Sequence, residues 1–244
     1  MISVVVPCFN EERRIVPTVE RIVEFLERRG TAWELVVVDD GSLDRTSDVV
    51  RDRFAGCSFV RVVRYDVNHG KGFAVREGVL ASRGEVVLFS DADLSTPIEE
   101  LDGLERKASE GFDLVVASRV VPGARITTPQ PARRRFSGLV FRTLVQGLGL
   151  SRVQDTQCGF KLLRRGTVAP VLRAIETGGF AFDVELIARC ERAGLRVAEV
   201  PVEWRDDAAG SKVRLFPDAI RMATDLVRMR LRLGARQPVA SIFL

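Results

Sequence analysis

Two aspartates, one residue apart, close an apolar run in the stretch EVVLFSDADLSTP at Glu85–Pro97. In an extended or turning segment, Asp91 and Asp93 can both direct oxygens at one point. Carboxylates suit Mg²⁺ or Mn²⁺, ions that take one or two protein carboxylates and complete their shells with substrate phosphates. A polar turn entering a helix, with Ser95 or Thr96 as N-cap, accounts for the same residues without a ligand.

Three further places carry comparable chemistry. In VVVDDGS, Asp39 and Asp40 can accept hydrogen bonds from a ribose or a base, or form a tight turn in which Gly41 supplies a positive φ. PCFNE sets Pro7, Phe9 and Glu11 after another apolar run, and Phe9 can stack on a base or join the core. In NHGKGFAVREG, Lys71 at a helix start can reach a nucleotide or its phosphates, or stand solvated. That stretch matches neither G-x-x-x-x-G-K-[ST] nor G-x-G-x-x-G, which excludes P-loop and dinucleotide-binding readings.

The elements that must position these residues follow from periodicity. Strands are expected at Ile2–Val6, Leu35–Val38, Phe59–Arg64, Glu85–Ser90 and Leu114–Ala117. Helices are expected at Glu11–Arg29, at Asp44–Phe54 with Asp44 as N-cap, at Phe73–Ser82, and at Pro97–Ser109. Continuous Val/Leu runs alternating with helices predict an α/β chain with mostly parallel strands buried on both faces. Ligands bind such sheets at the carboxyl ends of strands. PCFNE, DDGS, DAD and the pair Ser118–Arg119 all fall at such ends and form one expected site. The second half is less regular: a Pro-containing loop at Val120–Pro131, a helix at Arg133–Gln146, a strand in DTQCGFKLL, a helix at Phe182–Ala193, a strand at Arg196–Val202, and an amphipathic helix at Phe216–Leu233.

Composition narrows the function classes. The 244 residues are 46% hydrophobic and 29% charged, enough for one sizeable core. A net charge of +4 demands no general nucleic-acid grip, and the basic residues are not interleaved with aromatics. The scattered cysteines Cys8, Cys57, Cys158 and Cys190 predict reduced thiols, and the single His69 excludes a His-rich metal site. No charged leader precedes a long apolar core and no window of about 18 apolar residues occurs, so the expectation is a cytoplasmic protein with at most peripheral membrane contact.

The motifs VVVPCFNEE, VVVDDGSLDRT, NHGKGFAVREG and SDADLSTP occur in the order and spacing of glycosyltransferase family 2, and the chain resembles that family of inverting enzymes with a glycosyltransferase-A fold. DTQCGFKLL, FAFDVELI and VPVEWRDDAAGSK resemble its dolichyl-phosphate glucosyltransferase branch, a sister of the mannose synthases. The resemblance implies a catalytic domain over 1–214, with a nucleotide-sugar half to 118 and an acceptor half beyond it. It implies that Pro7, Phe9, Glu11, Asp39, Asp40, Lys71, Ala92 and Ser95 line the nucleotide-sugar pocket. Mannose synthases often carry glutamine where Ser95 stands. Asp91 and Asp93 would hold the divalent ion. Arg119, Arg133 and Ser137 would grip the acceptor phosphate, and Lys212 would cover the donor phosphates. The implied partners are UDP-glucose, or GDP-mannose in the sister branch, and a polyprenyl phosphate.

The chemistry then needs little from side chains beyond Asp93, Arg119, Arg133 and Lys212. A lipid phosphate, with a second pKa of about 6, is already largely ionised at neutral pH and requires no general base. A sugar-hydroxyl acceptor would require one, with Asp183 or Glu185 as candidates. A non-catalytic sugar-nucleotide-binding membrane scaffold is the rival outside enzymes. Between Ser211 and Arg236, Lys212 and the arginines at 214, 221, 228, 230, 232 and 236 oppose only Asp218 and Asp225. Region 215–244 is thus expected to touch an anionic membrane surface or to pack on the domain with its arginines solvated.

Overall fold

The computed structural model describes residues 1–128, 132–179, 181–205 and 215–234, without the side chains of 132–135 and 215–221. In chain order the elements are β1 (Ile2–Cys8), α1 (Ile15–Arg28), β2 (Trp33–Asp40), α2 (Thr46–Arg53), β3 (Val60–Tyr65), α3 (Lys71–Ala81), β4 (Val86–Ser90), α4 (Leu101–Ser109) and β5 (Leu114–Ser118). There follow β6 (Arg125–Thr128), α5 (Ala132–Gly147), β7 (Phe160–Arg164), α6 (Arg165–Arg173), α7 (Phe182–Arg192), β8 (Val197–Pro201), β9 (Glu203–Arg205) and α8 (Leu215–Leu233).

Seven strands form one sheet in the order β3-β2-β1-β4-β7-β5-β8. All are parallel except β7, which runs against both β4 and β5. Side chains alternate across a strand, so the unbroken Val runs feed two cores. Val4, Val6, Leu35 and Val37 meet Ile15, Val19, Ile22 and Leu26 of α1 on one face. Val5, Val36 and Val38 meet Val75 and Val79 of α3 and Phe182 and Leu186 of α7 on the other. This arrangement turns the carboxyl ends of β1, β2, β4 and β5 to one edge, as the alternating pattern predicts.

Several boundaries differ from expectation for physical reasons. α1 begins at Ile15 rather than Glu11, because Asn10 takes a φ of 53° and its amide oxygen accepts from Leu43 N, tying the start of that segment to the β2 loop. Arg45, not Asp44, is the boundary residue of α2, although Asp44 accepts from Thr46 N at 3.0 Å. Pro97 precedes a short 3-10 turn, Ile98–Glu100, before α4 begins. The proline-containing loop after β5 contains β6, which pairs with β9. α6 was not expected at all; Pro170 lies inside it, and Val168 and Leu172 bury it against the second core.

Candidate active site

The turn after β4 is built around Asp91. Its N–H donates to Gly159 O at 3.0 Å, and Leu94 N returns to Asp91 O at 3.2 Å with Leu94 at a φ of 47°. Asp93 Oδ1 accepts from Ser95 N at 3.0 Å, and Ala92 O accepts from Thr18 Oγ1 at 2.6 Å. Gly159 leaves room for the Asp91 carboxylate, which a Cβ there would overlap and push aside. The loop after β3 delivers a cation to the same point: Lys71 Nζ lies 2.6 Å from Asp91 Oδ1. Lys71 is therefore mostly buried and ion-paired rather than solvated.

Burial and the neighbouring Asp91 charge push the Asp93 carboxyl above its ordinary value, with Ser95 and Lys71 acting the other way. Burial works against the Lys71 charge, but Asp91 and Asp183 outweigh it and hold the ammonium well above its usual range. Two carboxylates thus share one lysine, and the turn can accept further positive charge. Among the described residues no group of three or more His, Cys, Asp and Glu forms a ready metal cluster. Asp91 and Asp93 offer carboxylate oxygens, the ligand type of Mg²⁺ and Mn²⁺, ions that commonly take one or two protein carboxylates and fill their shells with water and substrate oxygens.

The first two loops interlock. Asn10 N donates to Ser42 Oγ at 2.9 Å, and Glu11 N to Thr46 Oγ1 at 2.8 Å. The Glu11 carboxylate holds Arg14 at 2.7 and 2.9 Å. Spacing points Asp39 and Asp40 at a ligand, yet both carboxylates turn inward. Asp39 accepts from Ser42 N at 2.9 Å and from Ser47 Oγ, while Asp40 accepts from His69 N at 3.0 Å and Gly70 N at 2.7 Å. Asp40 thereby fixes the left-handed Gly70, with a φ of 97°, immediately before Lys71. Pro7 is buried opposite Val38, and Phe9 is half-buried at the end of β1.

The second half adds a second layer of charge. Arg119 forks onto Asp155, Nε to Oδ2 at 2.7 Å and Nη2 to Oδ1 at 2.8 Å, with its backbone N–H also on Oδ2 at 2.9 Å. Its guanidinium lies over the Trp204 ring, 5.4 Å from the centroid. Burial opposes the Arg119 charge, and Asp155, then Cys158 and Asp91, overcome it and hold the guanidinium above its usual value. Behind the Asp91 turn, the fully buried Lys161 donates to Asp183 and, at 2.6 Å, to Cys158 O. Burial pushes the Cys158 thiol up to about 11.

The site residues expected from sequence distribute unevenly. The turn brings Asp91, Ala92, Asp93 and Ser95 together with Lys71, and Arg119 senses the Asp91 charge. Ser137 is exposed in the second turn of α5. The side chain of Arg133, and Lys212 altogether, lie outside the described residues. Asp155, Gly159 and Lys161 were missed. The last had a signal, since a lysine inside the apolar strand FKLLR must find a buried anion.

Both carboxylates considered as bases are occupied. Glu185, fully buried, accepts from Thr177 N at 2.9 Å and Arg189 Nε at 2.8 Å. Asp183, 3% exposed, pairs with Lys161.

A mostly parallel sheet with a carboxylate pair at its carboxyl edge is the frame of a nucleotide-sugar transferase, and the model for glycosyl transferase family 2 matches residues 3–171. The chain belongs to that family. It is 37% identical over 238 residues to a dolichyl-phosphate β-glucosyltransferase of Trichomonas vaginalis, covering 93% of this chain and 70% of that protein. The dolichyl-phosphate β-glucosyltransferase of Saccharomyces cerevisiae is 34% identical, covering 94% of this chain and 74% of its own. The fold is similar to glucosyl-3-phosphoglycerate synthase of Mycobacterium tuberculosis in complex with Mn²⁺, UDP and phosphoglyceric acid, with a TM-score of 0.72 and 25% identity over 98% of this chain and 80% of that one.

Proposed function

We propose that this chain transfers glucose from UDP-glucose to a dolichyl or other polyprenyl phosphate, with inversion, to give a β-linked lipid-phosphate sugar. The identity of about a third of its residues to dolichyl-phosphate β-glucosyltransferases supports the glucosyl group and the acceptor, and a similar solved structure in complex with UDP-glucose supports the donor. The observation that carries the acceptor class is the occupation of Asp183 and Glu185. A hydroxyl acceptor needs a carboxylate within reach of its proton, and both candidates are buried in ion pairs. A phosphate acceptor brings its own charge. One oxygen attacks the anomeric carbon as the bond to the diphosphate breaks on the opposite side, and no proton has to move.

Asp91 and Asp93 are the residues that would hold Mn²⁺ or Mg²⁺, which would act as a Lewis acid on the departing diphosphate. Lys71, beside them, offers fixed positive charge to the same phosphates. Asp39 and Asp40 serve the nucleotide pocket by shaping it, since Asp39 anchors the β2 loop and Asp40 the Lys71 loop. Pro7, Phe9, Glu11, Ala92 and Ser95 complete its lining. Arg119, clamped by Asp155 and Trp204, would orient the acceptor with Arg133 and Ser137. Lys212 would close over the donor. Such rigid support suits catalysis by positioning and electrostatics.

The test is one assay: purified chain, Mn²⁺ or Mg²⁺, a short polyprenyl phosphate, and UDP-glucose beside GDP-mannose. A β-glucosyl lipid phosphate formed from UDP-glucose is expected. Product from GDP-mannose alone, or transfer only to sugar hydroxyls, would overturn the reading.

A further inference from the structure

A further carboxylate stands behind the Arg119 clamp. β8 ends the sheet, and Glu199 interrupts its apolar run VAEVP. Val200 packs against the first core and Val197 against the second, so alternation puts Glu199 on the face of Val197. A carboxylate in such a strand has to find donors. Both Glu199 oxygens are engaged, Oε2 by Gln154 N at 2.7 Å and Oε1 by Asp155 N at 2.9 Å. Two successive backbone N–H groups form a concavity that suits an anion, and here a side chain of the same protein fills it.

Asp155 is where this support meets the site. Its N–H is held by Glu199, while its carboxylate takes Arg119 Nε, Nη2 and N at 2.7, 2.8 and 2.9 Å. Arg119 is the first residue beyond β5, so the contact runs from one strand through a turn to the end of its neighbour. The strands do not need it to stay together, because β5 and β8 already pair in parallel with Val116 opposite Glu199. Nor does the turn need both bonds to stay in place, because Val153 anchors it in the second core and Val153 N finds Ser151 Oγ at 3.0 Å. The bond to Asp155 N fixes the peptide that carries the clamp. An open cleft lined by Arg152, Val197 and Glu199 brings water beside the carboxylate, so altering it strands no buried charge.

We propose that Glu199 is a positioning residue for the acceptor: by holding the Asp155 peptide from the edge strand, it sets the direction in which Arg119 presents its guanidinium to the acceptor phosphate. The coupling of Glu199 to Arg119 stands on geometry; only its effect on an acceptor rests on the lipid-phosphate reading above.

The test uses the full chain in a Trp33→Phe background, which leaves Trp204 as the remaining tryptophan and a reporter of the guanidinium above it. Glu199→Gln keeps the side-chain volume and one acceptor oxygen. It is expected to shift the Trp204 emission and to raise KM for a short polyprenyl phosphate about tenfold, the worth of one charge-assisted hydrogen bond, with KM for UDP-glucose unchanged. Asp155→Asn, which loosens the clamp from its other end, should give the same spectral change and the same split between the two KM values. Added to Arg119→Ala, Glu199→Gln should cost the acceptor nothing further, because a residue that acts through Arg119 then has nothing left to act on. An additional loss of the same size in that background would overturn the proposal. So would an unchanged Trp204 spectrum in either single variant, or an equal rise in both KM values, and Glu199 would then support the fold alone. If wild type forms no product with a polyprenyl phosphate, the functional reading falls, while the Trp204 spectra still decide the coupling.

Discussion

Lys71 Nζ sits 2.6 Å from Asp91 Oδ1 and joins the loop after β3 to the loop after β4 across the carboxyl edge of the sheet. The pair places a protein cation beside the carboxylates proposed to hold the metal ion. On the proposed reading Lys71 has two roles to separate: it neutralises Asp91, and it would offer charge to the donor phosphates. Lys71→Met is expected to leave Mn²⁺ binding to the nucleotide-free protein at least as tight, since a competitor for Asp91 is gone. Turnover should fall by about ten- to a hundredfold, the worth of one charge-assisted contact. Titration calorimetry with Mn²⁺ and steady-state kinetics check the two halves. Loss of Mn²⁺ binding along with the lysine would show that Lys71 builds the turn rather than competing in it.

Gly159 tests the same turn from below. A Cβ there would overlap the Asp91 carboxylate, and the backbone hydrogen bond between Asp91 N and Gly159 O resists separation. Gly159→Ala should displace Asp91, and a displacement of about 1 Å costs on the order of a hundredfold in rate. Stability should drop far less, because Asp91 is partly exposed. Kinetics beside a thermal melt separates the outcomes: a protein that unfolds early but keeps its specific activity would count against a geometric role.

The acid limb of stability has an identifiable source away from the turn. Burial works against the Glu34 charge, but Ser3 Oγ at 2.7 Å, Arg83 N and Arg61 Nη2 at 2.8 Å outweigh it and hold the carboxyl below its ordinary value. Burial also opposes the Asp155 charge, and Arg119 outweighs it in the same direction. A depressed carboxyl contributes stability above its unfolded value of about 4, and that contribution fades as pH falls through the lower folded value. Glu34→Gln should therefore lower the melting temperature at pH 7 and flatten its decline below about pH 4. Parallel curves for variant and wild type across that range would remove Glu34 from the account.

What sequence shows and hides divides along these pairings. The four strand ends were legible because parallel strands buried on both faces read as unbroken apolar runs, and the polar residues that end them stand out. Lys71 on Asp91 and Arg119 on Asp155 were not legible. Each spans separate elements, and only the crossing order of the sheet brings them together. The inward turn of Asp39 and Asp40 was hidden for the same reason, since their partners Ser47, His69 and Gly70 belong to other loops. β7 reads like its neighbours although it runs the other way, because burial sets side-chain type and leaves direction unmarked. β6 and β9 are too short, and too far apart in sequence, for periodicity to reveal.

The proposal that no side chain acts as a general base has its own variant. Glu185 lies within the expected acceptor half and so looks like a base, yet its oxygens hold Glu176 N, Thr177 N and Arg189. Burial works against its charge, and the hydrogen bonds from Thr177 and Arg189 outweigh it, so the carboxyl sits below its usual value, the wrong direction for a base at neutral pH. Glu185→Gln should cost roughly 2 kcal/mol of stability through those charge-assisted bonds. At a temperature where the variant remains folded, kcat should stay within the wild-type order of magnitude. The loop it anchors also touches the start of α3, where Gly72 N donates to Gly178 O at 2.8 Å, so KM for the donor can rise while kcat holds. A collapse of kcat with UDP binding intact would make Glu185 the proton acceptor and return the reaction to a hydroxyl substrate.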